Sequence, residues 1–238
     1  MKKVIIIGAT SGIGKELARQ MINKGYKAGG CGRTQDTLTE LEKELAPNFT
    51  GLTIDIRETD KLGDRLDQLV TKLTGMDICI ISSGISRRNT DLDWSTENDV
   101  LMTNVNGFTA AADYAVKYFL KQQSGHLVGI TSLTKFFPNK SSPAYNASKA
   151  FESNYLDSMR LRLSGNNLFV TEICPGFIDT PIVKKRKGLM MIVSVDKAVR
   201  QIIKAIELKK KNAIITRRWQ LIRWLIPFVP DWIFRKLT

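Results

Sequence analysis

Short apolar runs alternate with amphipathic stretches along most of this chain. The apolar runs, several of them rich in β-branched residues, predict seven strands, at Val4–Ile7, Ala28–Cys31, Leu52–Ile56, Ile78–Ser82, His126–Thr131, Phe169–Cys174 and Ala213–Thr216. Apolar residues spaced three and four apart predict helices at about Lys15–Lys24, Leu38–Leu45, Leu62–Leu73, Asn98–Lys121, Tyr145–Ser164 and Lys197–Leu208. Because strands and helices alternate, the pattern predicts an α/β fold with one doubly wound parallel sheet of about seven strands and helices on both faces.

The division of the chain into domains follows from the same pattern. A hydrophobic share of 43% in 238 residues is enough to bury one sizeable core, and no linker, repeat or low-complexity segment interrupts the alternation. We therefore expect a single domain over residues 1–216, followed by a basic, tryptophan-rich appendage over residues 217–238.

Cysteine usage and the amino-terminal residues indicate a reducing compartment. Cys31, Cys79 and Cys174 are far apart and fit neither a metal site nor a disulfide framework, so we expect free, buried thiols. The apolar run Val4–Ile7 is shorter than the roughly 7–15 residues of a signal-peptide core. We expect a protein that is cytoplasmic and not exported.

The net charge of +13 is concentrated in two segments. Residues 184–187 are all basic, and residues 209–238 contain eight basic residues against a single acid, Asp231. A large basic charge is one signature of a nucleic-acid enzyme. Because no nucleic-acid motif accompanies it here, we expect no nucleic-acid partner.

A glycine-rich turn separates the first predicted strand from the first predicted helix. It reads Gly8-Ala9-Thr10-Ser11-Gly12-Ile13-Gly14. Glycines at this position let the backbone approach a pyrophosphate, whose charge the N–H groups of the helix N-terminus then bind. A tight turn without a ligand is the alternative, but the first turn of a βα series is where a dinucleotide is expected.

The end of the second predicted strand indicates which nucleotide binds. Sites for NAD place an acid there, whereas this chain has Cys31-Gly32-Arg33-Thr34. Arg33 can pair with a ribose 2′-phosphate and Thr34 can hydrogen-bond it, which predicts NADP(H) rather than NAD(H). A solvated loop arginine is the alternative. Asp55, near the end of the third strand, is a candidate for binding the adenine amino group.

A tyrosine and a lysine four residues apart are the candidates for proton transfer. Tyr145 and Lys149 lie on one face of the predicted helix. A free tyrosine has a pKa of about 10, and an adjacent ammonium group favours the phenolate. Ser132, thirteen residues before the tyrosine, could hold a substrate oxygen. A tyrosine four residues before a lysine is common in helices, so the pair alone does not indicate catalysis. Together with the glycine turn and Ser132 it does.

These motifs and their order resemble the short-chain dehydrogenase/reductase family over residues 1 to about 216. The matches are the Gly8–Gly14 turn, Asp55, Asn104 in Asn104-Val105-Asn106-Gly107, Ser132, Tyr145 with Lys149, and Pro175-Gly176 followed by Thr180. The resemblance implies a Rossmann-type fold and an NADP(H)-dependent oxidoreductase that interconverts a carbonyl and an alcohol by direct hydride transfer. Two positions depart from the family: Ile7 replaces a frequent threonine, and Ile81-Ser82-Ser83-Gly84 replaces Asn-Asn-Ala-Gly.

The resemblance also implies roles for the matched residues. Asn104, Ser132, Tyr145 and Lys149 would be the catalytic set, in which Tyr145 exchanges the proton, Lys149 also holds the nicotinamide ribose, and Asn104 supports a water that links Lys149 to solvent. Pro175-Gly176 and Thr180 would bracket the carboxamide. The implied cofactor contacts are Gly8, Thr10, Ser11, Gly12, Ile13, Gly14, Arg33, Thr34, Asp55, Ile56, Ser83, Gly84, Asn104, Tyr145, Lys149, Pro175, Gly176, Ile178 and Thr180.

The segments after Thr180 give the only clues to the substrate. The resemblance places a substrate lid at about 182–194, where the sequence is basic and then apolar. The appendage is too short and too interrupted to span a bilayer. It either folds onto its own domain, cleft or partner subunit, or lies flat on a membrane surface. Lid and appendage favour an apolar or acyl, lipid-like small molecule with an anionic head.

The resemblance implies a homodimer or homotetramer, built on the helices Asn98–Lys121 and Tyr145–Ser164. His126, the single histidine, is expected to be structural, and no residue cluster predicts a metal. Two alternative functions stay open. One is a non-catalytic NADP-binding regulator, against which the intact Ser132, Tyr145 and Lys149 argue. The other is a peripheral membrane-docking protein.

Overall fold

The computed structural model describes residues 1–165, 167–181, 192–216 and 219–220. Within these ranges, one sheet contains the seven strands β1 (Lys3–Ile7), β2 (Lys27–Gly32), β3 (Phe49–Thr53), β4 (Ile78–Ile81), β5 (Gly125–Ile130), β6 (Leu168–Pro175) and β7 (Asn212–Ile215). The α-helices of these ranges are α1 (Gly12–Asn23), α2 (Gln35–Leu45), α3 (Thr59–Leu73), α4 (Trp94–Leu101), α5 (Phe108–Gln122), α6 (Pro143–Arg162) and α7 (Val195–Glu207). A π-helical segment (Met102–Gly107) joins α4 to α5, and a 3₁₀ turn (Leu133–Phe136) follows β5.

All neighbouring strands are parallel, in the order β3-β2-β1-β4-β5-β6-β7. The chain winds outward from β1 to β3 and then returns to place β4 on the other side of β1. The order therefore reverses between β1 and β4, where Ile7 aligns with Ile81. Ligands of such sheets bind in the crevice at the carboxyl ends of the strands at this reversal. The predicted doubly wound α/β fold is confirmed.

Successive residues of β1 enter two different cores, one on each face of the sheet. Val4 and Ile6 pack with side chains of α1, α2 and α7. Ile5 and Ile7 pack with side chains of α3, α5 and α6. Because helices cover both faces, the central strand is apolar at every buried position rather than alternating.

The third strand begins earlier than the sequence pattern predicts. It covers Phe49–Thr53 rather than Leu52–Ile56, and it pairs in register with Ala28–Gly32. The ring of Phe49 lies over Gly30, where a Cβ atom would come within 2.5 Å of the ring. The absence of a side chain at Gly30 thus makes room for Phe49 at the start of the strand.

The helix predicted over Asn98–Lys121 is divided into α4, the π-helical segment and α5. Asp93 begins α4, because its carboxylate accepts a hydrogen bond of 2.8 Å from the backbone N–H of Thr96. Gly107 lies against Ile56, where a Cβ atom would come within 2.7 Å of Ile56 Cγ1. The residues Thr-Asn-Val-Asn-Gly are poor helix formers, and a wider turn in their place keeps the chain helical.

Most of the predicted lid and appendage lies outside the described residues, namely 182–191, 217–218 and 221–238. Among the helices that the structure describes, none is long and apolar enough to cross a membrane.

Candidate active site

The glycine turn lies at the carboxyl end of β1, beside the strand-order reversal. Gly8 has a φ of 95°, and a Cβ atom there would come within 2.6 Å of the backbone nitrogen of Ser83. A Cβ atom on Gly14 would come within 2.0 Å of the carbonyl oxygen of Gly8. Both positions therefore exclude any side chain. Ser11, the N-cap of α1, makes no side-chain hydrogen bond to the helix, so its side chain does not compete for the first-turn N–H groups.

Arg33 and Thr34 follow β2 and are both exposed. Thr34 is the N-cap of α2 and makes no side-chain capping bond. Gly32, the last residue of β2, lies against Thr10 of the glycine turn, where a Cβ atom would come within 2.7 Å of Thr10 Cγ2. The end of β2 and the glycine turn therefore share one edge of the crevice, as the sequence predicts.

Asp55 is held by an arginine that sequence reasoning did not single out. Arg57 donates hydrogen bonds from Nη2 and Nε to Asp55 Oδ2, at 2.6 and 3.0 Å. Its Nη1 donates to Asp99 of α4, at 2.9 Å. The hydrogen-bonded guanidinium holds the pKa of Asp55 below its ordinary value. These residues line a cavity of about 580 Å³ together with Arg87 and Met102.

Tyr145 and Lys149 lie together on α6, as predicted. The Lys149 Nζ atom is 5.9 Å from the centroid of the Tyr145 ring, and both residues are buried. A Cβ atom on Gly84, in the loop after β4, would come within 3.1 Å of Lys149 Nζ. Gly8 contacts Ser83, and Gly84, which follows Ser83, contacts Lys149. A short path of contacts therefore joins the glycine turn to the lysine.

Ser132 follows β5 and caps the 3₁₀ turn. Its Oγ atom accepts a hydrogen bond of 3.2 Å from the backbone N–H of Thr134. The serine therefore lies at the carboxyl edge of the sheet, the same edge as the glycine turn, with its hydroxyl proton still able to be donated.

Asn104 has three hydrogen bonds to protein groups. Its Oδ1 atom accepts from the backbone N–H of Ile85 at 2.9 Å, and its Nδ2 atom donates to the Ile85 carbonyl at 2.9 Å and to Ser148 Oγ at 3.0 Å. Asn104 thus fixes the loop after β4 to the π-helical segment and to α6. Its implied support of a water beside Lys149 stays a prediction.

Lys149 has a second partner that the sequence reasoning missed. Its Nζ atom donates to both carboxylate oxygens of Glu152, at 2.8 Å each, and to the carbonyl of Ile130 at 3.3 Å. Glu152 is fully buried. Burial raises its pKa to about 7, although the Lys149 ammonium acts in the opposite direction. An acid on the buried face of α6, three residues after the lysine, was the available signal.

The segment after β6 lies close to the glycine turn. Thr180 contacts Gly12, where a Cβ atom would come within 3.3 Å of Thr180 Cγ2, and Ile178 is buried nearby in the chain. Gly176, next to Pro175, lies under the indole of Trp219, with 2.3 Å between a Cβ built there and the ring. The Trp219 ring is perpendicular to that of Phe177, with centroids 5.2 Å apart. The described start of the appendage thus packs on its own domain.

His126 and the three cysteines are buried. The His126 Nε2 atom hydrogen-bonds Thr171 Oγ1 at 2.7 Å, and burial lowers the pKa of the imidazole to about 4. All three cysteines are free and buried, as predicted. In the part of the chain that the structure describes, no group of histidines, cysteines and acids could hold a metal ion.

Comparisons with known proteins agree with this geometry. A family model described as short chain dehydrogenase matches residues 2–188. An uncharacterized oxidoreductase of Staphylococcus epidermidis is 29% identical over 188 residues, which cover 77% of this chain and 80% of that protein. A 3-oxoacyl-(acyl-carrier-protein) reductase of Buchnera aphidicola is 28% identical over 186 residues, which cover 77% of this chain and 76% of that protein.

The fold is also similar to that of solved structures. A short-chain dehydrogenase from Sphingobium yanoikuyae, solved in complex with NADPH, superposes with a TM-score of 0.82 at 20% identity. The superposition covers 93% of this chain and 92% of that one, and at this identity it concerns the fold. Because the family model matches most of its length, this chain belongs to the short-chain dehydrogenase family and is an oxidoreductase of that family.

Proposed function

We propose that this chain is an NADP(H)-dependent oxidoreductase that interconverts a carbonyl and an alcohol, with Tyr145 as general acid and base. The observation that carries the proposal is the position of Tyr145 and Lys149. They share one face of α6, and Lys149 contacts the loop that packs against the glycine turn. This position supports Tyr145 as a proton donor at the crevice where a dinucleotide of this fold binds.

The described residues fit such a cofactor. The backbone at Gly8 and Gly14 leaves no room for a side chain, and the N-terminus of α1 lies just beyond, which suits a pyrophosphate. Arg33 and Thr34 are exposed at the end of β2, where they suit a 2′-phosphate. Residues 31–34 contain no acid that could bind the ribose 2′-hydroxyl of NAD. The Sphingobium yanoikuyae neighbour was solved with NADPH, which supports the same choice here.

Bound NADPH would supply the hydride for the carbonyl carbon. The chain's own residues handle the oxygen atom. The Tyr145 hydroxyl donates its proton to the carbonyl oxygen as the alcohol forms, and its phenolate takes the proton back in the reverse direction. Ser132 hydrogen-bonds the same oxygen and orients the substrate. The Lys149 ammonium stabilises the phenolate and holds the nicotinamide ribose.

The proposed substrate is apolar or acyl in character. Trp219 and Phe177 form an aromatic surface beside Gly176, next to the position proposed for the carboxamide. The Buchnera aphidicola relative carries the name of a 3-oxoacyl reductase, which supports an acyl chain. The anionic head, the cytoplasmic location and a membrane contact through the appendage stay predictions, because residues 182–191 and 221–238 lie outside the described part.

A homodimer or homotetramer is part of the proposal. Phe151 and Tyr155 stack on α6 with centroids 5.8 Å apart, and Phe151 is 39% exposed. Leu161 on the same helix is 78% exposed. Apolar side chains on this helix are consistent with the interface that the family resemblance implies.

Replacement of Tyr145 tests the proposal directly. We expect Tyr145→Phe to lower the rate of NADPH consumption across a panel of aldehydes, ketones and 3-oxoacyl thioesters by at least about 100-fold, since proton transfer contributes that much. Tyr155→Phe, on the same helix, is the matched control and keeps activity within a few-fold. Fluorescence titration checks that both variants still bind NADPH.

Two results would contradict the proposal. Full activity of Tyr145→Phe would remove Tyr145 from the reaction. A wild-type protein that binds NADPH but does not consume it with any carbonyl of the panel would favour the non-catalytic regulator instead.

A further inference from the structure

Glu152 is a buried acid that the proposed proton transfer does not use. It lies one turn beyond Lys149 on α6, is fully buried, and binds the lysine ammonium through both carboxylate oxygens at 2.8 Å. A buried ion pair of this kind is costly to maintain, because both charges lose their hydration. Two oxygens on one ammonium nevertheless give it a defined geometry.

The charged groups around Glu152 come from three elements. Lys149 lies on its own helix. Glu172 of β6 is 2% exposed, and its charge acts on Glu152 across the interior. Lys135 of the 3₁₀ turn pairs with Glu172 at 2.6 Å and also donates to Ser153 Oγ at 2.6 Å. Each lysine thus has its own glutamate, and Glu152 belongs to the one beside Tyr145.

We propose that Glu152 is a positioning residue that holds the Lys149 ammonium and sets the pH at which the Tyr145–Lys149 pair loses its proton. This inference rests on the proposed function, in which Tyr145 and Lys149 carry the proton transfer. Glu152 contacts neither substrate nor cofactor in this scheme. It acts through Lys149 alone.

The direction of the effect follows from electrostatics. An ionised Glu152 partly neutralises the ammonium that would otherwise stabilise a phenolate, so the pair keeps its proton to higher pH. Removing the carboxylate favours proton loss from the pair, whichever of the two residues releases it. The pH midpoint therefore moves to lower pH both for reduction and for oxidation. Reduction needs the protonated tyrosine, so as the pH is raised its rate declines at a lower pH in the variant than in the wild type. Oxidation needs the phenolate, so its rate rises at a lower pH than in the wild type.

The charge of Glu152 itself depends on pH. Burial, together with the negative charge of Glu172, raises the pKa of Glu152 to about 7, against the opposing effect of the Lys149 ammonium. Below that pH the side chain is neutral and restrains the lysine less. Above it, the full counter-charge is present. The wild type and a variant without the carboxylate should therefore differ most above pH 7.

Three variants test the inference in the full chain. Glu152→Gln keeps the shape and removes the charge, so we expect the midpoint of the kcat/KM profile to fall by on the order of one pH unit. Glu152→Asp keeps the charge, so the midpoint stays near the wild-type value even where the rate drops. Glu172→Gln removes an equally buried carboxylate from the other pair, and we expect well under half of the shift.

A second readout does not depend on turnover. The ultraviolet absorbance of the Tyr145 phenolate can be titrated without cofactor, as the difference between each protein and the same protein carrying Tyr145→Phe. We expect the phenolate to form at lower pH in Glu152→Gln than in the wild type. If Glu152→Gln does not fold, the midpoint of Glu152→Asp decides. A midpoint near the wild-type value supports the inference, and a shift in Glu152→Asp as large as that of Glu172→Gln or larger contradicts a charge effect.

The outcomes separate this inference from the proposed function. If Tyr145→Phe is inactive but Glu152→Gln leaves both midpoints unchanged, the inference is wrong and the proposed function stands. If Tyr145→Phe is active, the proposed function is wrong, and only the absorbance titration still bears on Glu152.

Discussion

The first 88 residues and the rest of the described chain bury different kinds of side chain. Among the described residues, those up to position 88 bury apolar side chains only, whereas fourteen buried polar or charged side chains follow from Asn89 onward. The first part builds the proposed sites for the pyrophosphate and the 2′-phosphate. The second part carries Asn104, Ser132, Tyr145 and Lys149, the proposed catalytic set.

The two parts position their ligand by different physical means. In the first, the glycines bring the backbone close to the ligand, and the determining quantity is space. In the second, the interior contains charges, each of which is tolerable only with a partner. Substitutions that take up space should harm the first part, and substitutions that leave a charge alone should harm the second.

The largest effect is expected from the buried pair Lys135–Glu172. Lys135→Met leaves the Glu172 carboxylate buried without its ammonium partner, so we expect a loss of about 3 kcal/mol in the free energy of unfolding. Urea denaturation measures it, and adding Glu172→Leu should recover most of the loss.

The first part of the chain offers a control for that experiment. Arg19 and Glu44 form an ion pair at 2.6 Å whose side chains are 37% and 43% exposed. We expect Arg19→Met to cost less than about 1 kcal/mol, because water screens an exposed pair. Equal losses in the two experiments would break the contrast between the two parts.

A smaller effect is expected from Gly14→Ala, which tests space. The new Cβ atom would lie 2.0 Å from the Gly8 carbonyl oxygen, so the turn must move by an ångström or more. We expect NADPH affinity to fall by about 100-fold in a fluorescence titration. Gly63→Ala is the control, because nothing lies within 4 Å of a Cβ atom at that helical position. Its affinity should be unchanged, and wild-type affinity in Gly14→Ala would contradict a backbone-built site.

The smallest effect, apart from the controls, is expected at Arg33, the basic side chain that the first part is proposed to direct at the ligand. Arg33→Glu should raise the Kd for NADPH by about 10-fold or more while sparing NADH, because a phosphate loses its charged partner. Lys72→Glu, an equal charge reversal at the end of α3 away from the site, controls for net charge. Unchanged NADPH selectivity would mean that Arg33 is merely a solvated side chain.

The same contrast explains how much of the molecule the sequence could predict. In the first part, apolar strands buried on both faces and the Gly8–Gly14 turn are local signals, and they predicted the strands, the doubly wound sheet and the placement of Arg33 at the end of β2. The exception is β3, whose start depends on contact between Phe49 and Gly30 across two strands. No local pattern contains that contact.

In the second part, the missing information is the identity of partners. Tyr145, Lys149 and Ser132 were recognisable because their spacing is short. Glu172 interrupts an apolar strand, and its partner Lys135 is 37 residues away, so the sequence could show the acid but not the pair. Glu152 lies only three residues from Lys149, and Arg57 of the first part lies only two residues from Asp55, so the sequence contained both spacings although neither residue was singled out.

The π-helical segment restricts how the length of this chain can change. A π turn contains one residue more than an α turn, so deleting one residue from Met102–Gly107 would let α4 and α5 merge into one regular helix. Because one π turn and one α turn each complete a full turn, α4 and α5 would keep their relative rotation, while the residues inside the segment would move to α-helical spacing. Asn104 would then turn away from Ile85 and Ser148, to which it now donates hydrogen bonds. Insertions and deletions among related chains are therefore expected in the surface loops, and this six-residue segment is expected to keep its length.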